Sequence, residues 1–472
     1  MESALQPEWH TAFLPVESDC ACIDIMGVQL TYFNHFSGRK DYEVLSKATL
    51  LLCLTWGFLG VQRIIISVIM PEIKGDLSLT NTQVSLIVAM TGLAWALGSI
   101  LWASLGDRYG RRPIIVICTI LAAIFSWVTG LVQNIAQMMA IRGLLGFFEG
   151  GPYAPAMAVI SEESPEKRRA MNAGLVTGSF LLVGVGFGSV FAGKLVDMFG
   201  SWRPVFYIIS LPAIILGIIL IFKMRETPST TEAIRLRKSG GKSATDKKEG
   251  KSAVLEALKF KNVVLSSINS IPVMGWLFIY TVFASIFLNE VHKFDIMEIT
   301  LIIAASGVGG FLGEFILGSI SDVIGRKRAL IFTALLCSLF GIIVILLPVG
   351  TSVLVFSTFF FLWGFFGAGM YPIYLGTLPA ESVPPRIAGT AVGIPMAIGE
   401  LIGSTLLPVI AGFLADKFNL YAPMWMAALT GIVIAVVSLF YVETAPARLA
   451  KMKRKPNPQD HLLVFFRKST EE

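Results

Sequence analysis

The sequence predicts an all-α integral membrane protein, with twelve membrane-spanning helices arranged as two six-helix bundles. Three observations predict it. Of the 472 residues, 54% are hydrophobic and only 15% are charged, more apolar surface than a soluble chain can hide. Apolar runs of about 20–28 residues recur twelve times, each long enough to cross a hydrocarbon core of about 30 Å. A polar, Lys-rich stretch at 224–262 separates them six and six.

The first six runs lie at about 48–70, 81–104, 113–132, 136–160, 171–195 and 203–223. The second six lie at about 263–288, 299–320, 328–348, 351–378, 386–413 and 421–443. This divides the chain into an N-terminal tail (1–46), an N-terminal bundle (47–223), a linker (224–262), a C-terminal bundle (263–445) and a C-terminal tail (446–472). Gly 44 and Phe 33 agree with helices packed in lipid, where small residues let backbones approach. Residues 1–46 carry Glu2, Glu8, Glu17, Asp19 and Asp24 and lack the basic start and apolar core of a secretory signal, so they read as a cytoplasmic tail.

Lys and Arg set the orientation. With the N-terminus in the cytoplasm, most of the 38 basic residues fall on the cytoplasmic side, and Lys74, Lys194, Arg203, Lys293 and Lys417 fall outside. Both termini are then cytoplasmic, in a cell membrane crossed many times. The net charge of +6 is thus a topology signal with its densest run in a solvated linker, and nucleic acid is not an expected partner. Cys20 and Cys22 form a lone Cys-x-Cys pair of plain thiols, and Cys53, Cys118 and Cys337 read as small hydrophobes.

Two short loops repeat between the halves. After the second run comes Ala103-Ser-Leu-Gly-Asp107-Arg108-Tyr-Gly110-Arg111-Arg112. After the eighth comes Gly318-Ser-Ile-Ser-Asp322-Val-Ile-Gly325-Arg326-Lys327. Topology alone accounts for the Arg residues but not for the repeated Asp-x-x-Gly-Arg spacing. Asp107, Arg108, Arg111, Asp322 and Arg326 are therefore expected to stabilise a cytoplasmic gate. The doubled loop, the twelve runs and the basic linker resemble the major facilitator superfamily over nearly all of residues 47–445; Ala103 stands where that family usually has Gly. The resemblance implies two bundles around a central cavity that alternate in access.

Two cations sit inside runs that otherwise read as lipid-spanning, Arg63 in Gln62-Arg63-Ile-Ile-Ile-Ser67 and Arg142. An ionisable group at that depth is expensive and points to function. Both lie about six or seven residues from the outer end of their helices, so two guanidinium forks at one level can hold a carboxylate or phosphate. The bland alternative pairs each with a backbone carbonyl or a structural acid. Glu149 follows Arg142 by seven residues, about 700° of helix and about 10.5 Å of rise, and so shares its face nearer the midplane. Burial and neighbouring Arg residues pull such a carboxyl in opposite senses, which suits proton exchange; a permanent ion pair with Arg142 is the other reading. Glu314 reads as structural. Glu400, beside Gly399 and Gly403, is either a second protonation site or a helix contact. Trp95, Tyr280, Tyr371 and Tyr374 are candidate cavity-lining aromatics, and Gln62 a candidate substrate contact beside Arg63.

Arg63, the segment Arg142-Gly-Leu-Leu-Gly146-Phe-Phe-Glu149-Gly150-Gly151 with Pro152 and Pro155 beyond, and Gly200-Ser201-Trp202-Arg203-Pro-Val-Phe206-Tyr207 resemble the anion:cation symporter branch of the superfamily. That branch carries sugar acids, aromatic acids and, in animals, glutamate and sialic acid. The resemblance implies that Arg63 and Arg142 contact the anion and that Glu149 takes part in proton coupling. One departure stands at Gln62, where many bacterial members have Asp; an amide takes up no proton.

The expectation is a monomeric, proton-coupled carrier that imports a small organic carboxylate. A Gly-rich fifth run (Gly184, Gly186, Gly188) and Gln62 keep an exporter or uniporter open, and a non-transporting membrane sensor is the alternative of another class. No enzyme is expected, since no catalytic constellation is present. No cofactor or metal is expected either: the histidines (His10, His35, His292, His461) fall in tails or loops, and Gly241-Lys242-Ser243 lacks the earlier phosphate-loop Gly, its place being taken by Leu236.

Overall fold

The computed structural model describes residues 22–25, 28–31, 47–164, 169–227, 230–232, 234–235, 249–384, 387–445 and 448. Most of the two tails and much of the linker therefore lie outside the described residues. The segment up to Val44 is a unit by itself, separate from the unit Leu45–Glu472. Within it, strands β1 (Cys22–Ile25) and β2 (Val28–Thr31) pair antiparallel.

In the larger unit, α1 (Lys47–Val68), α2 (Asn81–Tyr109), α3 (Arg111–Thr129), α4 (Ile135–Glu149 and Tyr153–Glu163), α5 (Met171–Phe199) and α6 (Arg203–Lys223) form the first half. The second half is α7 (Lys261–Glu290), α8 (Ile296–Ile324), α9 (Arg326–Leu346), α10 (Val353–Glu381), α11 (Ala388–Lys417) and α12 (Tyr421–Ser438). Among the described residues, 11 helices are continuous and apolar enough to cross a membrane. The twelfth, α4, is broken: Ile135–Glu149 ends at Gly150, and Tyr153–Glu163 resumes after Pro152. Proline removes a donor and clashes with the preceding turn, which is enough to split the span. Further π-helical turns interrupt α5 at Phe180–Phe187, α10 at Pro372–Thr377 and α11 at Gly399–Gly403.

Large apolar side chains such as Ile100, Phe222 and Leu354 stand exposed on the outside of the bundle, the surface a bilayer covers. The halves repeat each other in packing as well as in sequence. Gly98, Gly146 and Gly150 press the backbones of α2 and α4 together, so that a Cβ at Gly98 would strike the carbonyl of Phe147. Gly309, Gly313 and Gly364 do the same for α8 and α10, where a Cβ at Gly313 would strike the carbonyl of Phe365. Small residues of this kind let helices approach to backbone contact where no hydrophobic force drives them together.

The repeated loops fold alike. Gly110 (φ 118°) and Gly325 (φ 104°) turn the chain between α2 and α3 and between α8 and α9, a conformation that favours glycine. Behind each glycine a carboxylate caps the next helix. Glu226 accepts from the backbone N–H groups of Arg111 and Arg112, and Glu443 accepts from that of Arg326. Negative groups at helix N-termini satisfy orphan donors and complement the dipole. The carboxylates come from Glu226-Thr227 after α6 and Glu443-Thr444 after α12, a second repeat that the loop pattern alone does not reveal.

Candidate functional site

Arg63 is the hub of the interior. It lies on α1, 7% exposed, and its Nη2 donates to Oε2 of Glu400 on α11 at 2.8 Å; Glu400 is itself 3% exposed. The guanidinium sits 5.3 Å from the ring of Trp95 (α2) and 4.6 Å from that of Phe278 (α7). Arg63 therefore touches both halves, through Trp95 on its own side and through Glu400 and Phe278 on the other. A guanidinium buried between aromatic faces is stabilised by the ring quadrupoles as well as by its counter-ion.

Arg142, 1% exposed, uses its fork on backbone. Nη1 donates to the carbonyl of Gln62 at 3.0 Å and Nη2 to that of Arg63 at 3.1 Å. Each carbonyl keeps a second lone pair after its helical bond, and a buried guanidinium must find acceptors. Arg142 thus fixes the stretch of α1 that carries Arg63. The two forks stand next to each other, and each takes a different partner: Arg63 a carboxylate, Arg142 two carbonyls.

Around them lies a set of buried polar atoms without hydrogen-bond partners among the described residues. These are both amide atoms of Gln62, Nε of Arg63, Nε of Arg142 and both carboxylate oxygens of Glu149. Arg63, Arg142 and Glu400 are the charged groups that act on Glu149. Buried polar groups are ordinarily satisfied, so such a cluster is a site with bonding capacity to spare. The seven-residue spacing does bring Glu149 and Arg142 into one charged group, without a direct hydrogen bond between them.

The candidate aromatics separate. Trp95 belongs to the site through Arg63 and packs near Tyr153, ring centroids 6.3 Å apart. Tyr371 on α10 is half-buried, 5.7 Å from the Tyr374 ring, with its hydroxyl 3.7 Å from the Met274 sulfur. Tyr280 is spent on packing inside the second half: it stacks on Trp276 at 4.9 Å, and its hydroxyl pairs with that of Ser306 at 2.7 Å. Glu314 on α8 faces Gly178 of α5, where a Cβ would lie 3.5 Å from its Oε2, so it too meets the opposite half. Phe278 and Tyr153 escape sequence reasoning, because an aromatic in an apolar helix looks like any other packing residue.

The loop residues form networks within their own halves. Arg111 pairs with Glu162, and Arg326 with Asp322 at 2.5 Å and Glu381 at 2.9 Å. Arg108 lies exposed over the Tyr109 ring at 5.3 Å. Asp107 is on the last turn of α2, its side chain outside the described residues. Among the described residues, the polar links between halves lie at the site or beyond it, toward the opposite end of the bundle. Ser285 donates to the carbonyl of Ser67 at 2.6 Å, Lys74 pairs with Glu290 at 2.5 Å, and Asp416 binds the start of α2. The bundle is clasped at that end, and Arg111, Asp322 and Arg326 pair within their own halves.

Comparisons agree with this architecture. A probable sulfoacetate transporter of Cupriavidus necator is 25% identical over 407 residues, 83% of this chain and 92% of that protein. A probable 4-methylmuconolactone transporter of Cupriavidus pinatubonensis is 26% identical over 411 residues, 86% of this chain and 92% of that protein. A bacterial homologue of the human lysosomal transporter Spinster, solved inward-facing and unoccupied, superposes with a TM-score of 0.64 at 20% identity, covering 83% of this chain and 94% of that one. The family model for the Major Facilitator Superfamily matches residues 52–401. With that match over most of its length, the chain belongs to the Major Facilitator Superfamily of multi-pass membrane transporters.

Proposed function

We propose that the protein carries a small organic anion, a carboxylate, across the membrane by alternating access, and imports it together with protons. One observation carries the reading. A buried guanidinium, Arg63, sits where the two halves meet, beside polar atoms with unused bonding capacity. A carboxylate fits that chemistry, because it accepts two parallel hydrogen bonds from a guanidinium and from the Gln62 amide. The names of the two bacterial relatives, transporters of sulfoacetate and of 4-methylmuconolactone, support a small organic acid.

In this reading Arg63, Gln62 and Trp95 face the anion, and Arg142 holds α1 in place behind them. Tyr371 lies within electrostatic reach of both Arg63 and Glu400 and lines the path. Glu149 exchanges the proton: its carboxylate is buried, has no hydrogen-bond partner among the described residues and lies close to the cations that an incoming anion neutralises. Gln62 cannot share that task. The end carrying Arg111 and Arg326 faces the cytoplasm, as its density of Lys and Arg requires, and both termini lie there, in the cell membrane. The networks of Arg111 and of Asp322 with Arg326, together with Asp107 and Arg108, then form the cytoplasmic gate in its separated state. The carrier works as a monomer, since one chain supplies both halves and the whole site.

The test is uptake by proteoliposomes of a panel of carboxylates, with and without an imposed inward pH gradient. Accumulation against a concentration gradient only when the outside is acidic is expected. Equilibration that ignores the pH gradient would establish a uniporter instead.

A further inference from the structure

The pairing of Arg63 with Glu400 joins residues 337 apart in the sequence and from opposite halves. It is a single contact, from Nη2 of Arg63 to Oε2 of Glu400 at 2.8 Å. Nε of Arg63 is left without a partner among the described residues. Glu400 stands on the π-helical turn Gly399–Gly403, and Gly399 and Gly403 press against Ser270, Met274 and Ile271 of α7. Ser404 donates to the same Oε2 at 2.8 Å. A π turn costs helical regularity and tends to persist where it places a functional group.

We infer that Glu400 is a tethered stand-in for the cargo: it holds Arg63 while the site is empty and is displaced when an external carboxylate binds. This rests on the anion-transport reading and adds a competitor to it. A free carboxylate can take two parallel hydrogen bonds from the guanidinium fork, whereas Glu400, held by its helix, takes one. The displaced Glu400 is left buried without its cation, a cost that the cargo's second hydrogen bond to the guanidinium offsets. Arg63 on α1 pairs with Glu400, and Glu400 acts on Glu149 and Tyr153 on the two segments of α4 and on Tyr371 and Tyr374 on α10; Arg142 on α4 and Glu314 on α8 act on members of the same cluster. From α2 and α7 the nearby side chains are neutral. Binding thereby removes the buried ion pair that links α1 to α11, and the energy of cargo binding loosens the contact between halves. A ligand shifts a conformational equilibrium only by such differential contacts.

The full-length protein in nanodiscs is titrated with sulfoacetate and, separately, with benzoate. Binding is read by thermal stabilisation. Wild type is expected to bind at least one of the two, and Arg63→Ala neither. Glu400→Gln is expected to bind about tenfold tighter, since the competent form no longer competes with the internal pair. Glu400→Asp, which keeps the charge on a shorter arm, should fall between. Binding by Glu400→Gln that is unchanged or weaker, in a variant that still unfolds cooperatively, overturns the proposal and leaves the anion-transport reading intact. Binding by Glu400→Gln where wild type shows none supports it, the tether then being too tight for these probes. If neither anion stabilises any of the four proteins, both readings fall.

Discussion

Asp416, at the end of α11, caps the first turn of α2 from the opposite half: its Oδ1 accepts from the backbone N–H of Asn81 at 2.9 Å and its Oδ2 from that of Thr82 at 2.8 Å. The Thr82 hydroxyl adds a third bond at 2.6 Å. A side-chain cap at a helix N-terminus is ordinarily supplied by the same chain segment, as Thr80 and Gln83 also do here with a capping box. A cap supplied across the molecule ties helix stability to closure of that end.

Asp416→Asn removes the charge and one of the two backbone acceptors. The expected outcome is a several-fold faster reaction of a cysteine placed at Ser285 with an aqueous maleimide, in a background lacking the five native cysteines. Ser285 is fully buried in the clasped form, where it bonds the Ser67 carbonyl. An unchanged rate would mean that the cap does not hold the halves together.

Arg142→Lys keeps the charge but loses the planar fork that spans the carbonyls of Gln62 and Arg63. An ammonium can replace one of those bonds at most. The variant should lose about 2 kcal/mol of stability in detergent, one charge-assisted hydrogen bond, and transport should fall with it because Arg63 is no longer positioned. Wild-type stability in Arg142→Lys would contradict the assigned positioning role.

His292 lies in the connection between α7 and α8, packed against Phe287, Phe294 and Phe356, with neither ring nitrogen paired among the described residues. Burial holds its pKa below the ordinary histidine value, which is about 6.5. The folded protein therefore keeps His292 neutral while the unfolded chain gains a proton as pH falls through about 6.5. The unfolded state binds more protons there, so stability must drop on acidification, by up to about 1.4 kcal/mol per pH unit between the two pKa values. Melting temperatures of wild type and His292→Phe across pH 5–8 check this: the variant should lose that part of the acid-side decline, and parallel curves would rule it out.

Gly98→Ala and Gly313→Ala test the internal repeat. Each adds a Cβ against a carbonyl, that of Phe147 in one half and of Phe365 in the other. Overpacking of this kind costs about 1–3 kcal/mol. Equivalent sites should respond alike, and thermal melts in detergent that differ widely between the two would break the equivalence.

Much of this was legible in the residues. The apolar runs and the doubled Asp-x-x-Gly-Arg loops are local patterns, and they lead to the two-half architecture and to turns at Gly110 and Gly325. An ionisable residue within an apolar run is conspicuous too, so Arg63, Arg142, Glu149 and Glu400 all stand out. Their partners do not. Arg63 and Glu400 meet only because two halves fold against each other, and Arg142 bonds carbonyls, which every residue carries. Tyr280 and Trp95 look alike in sequence, yet one is consumed by Ser306 and the other faces a guanidinium. The break in α4 turns on Gly150 and Pro152, whose local preference overrides an apolar run that otherwise reads as continuous. The loop residues were expected to form a gate; what their spacing could not convey is that Arg111 and Arg326 bond within their own halves in this conformation.

The most direct test of the central claim is uptake of radiolabelled carboxylate by proteoliposomes carrying wild type or Arg63→Ala, under an inward proton gradient. The carboxylate is the best ligand from the binding titrations. If Arg63 is the anion's contact between the halves, wild type accumulates the label and Arg63→Ala, still folded by its melting curve, falls at least about a hundredfold, the loss of about 3 kcal/mol expected for a buried charge-assisted contact. Accumulation by Arg63→Ala at the wild-type rate would contradict the account.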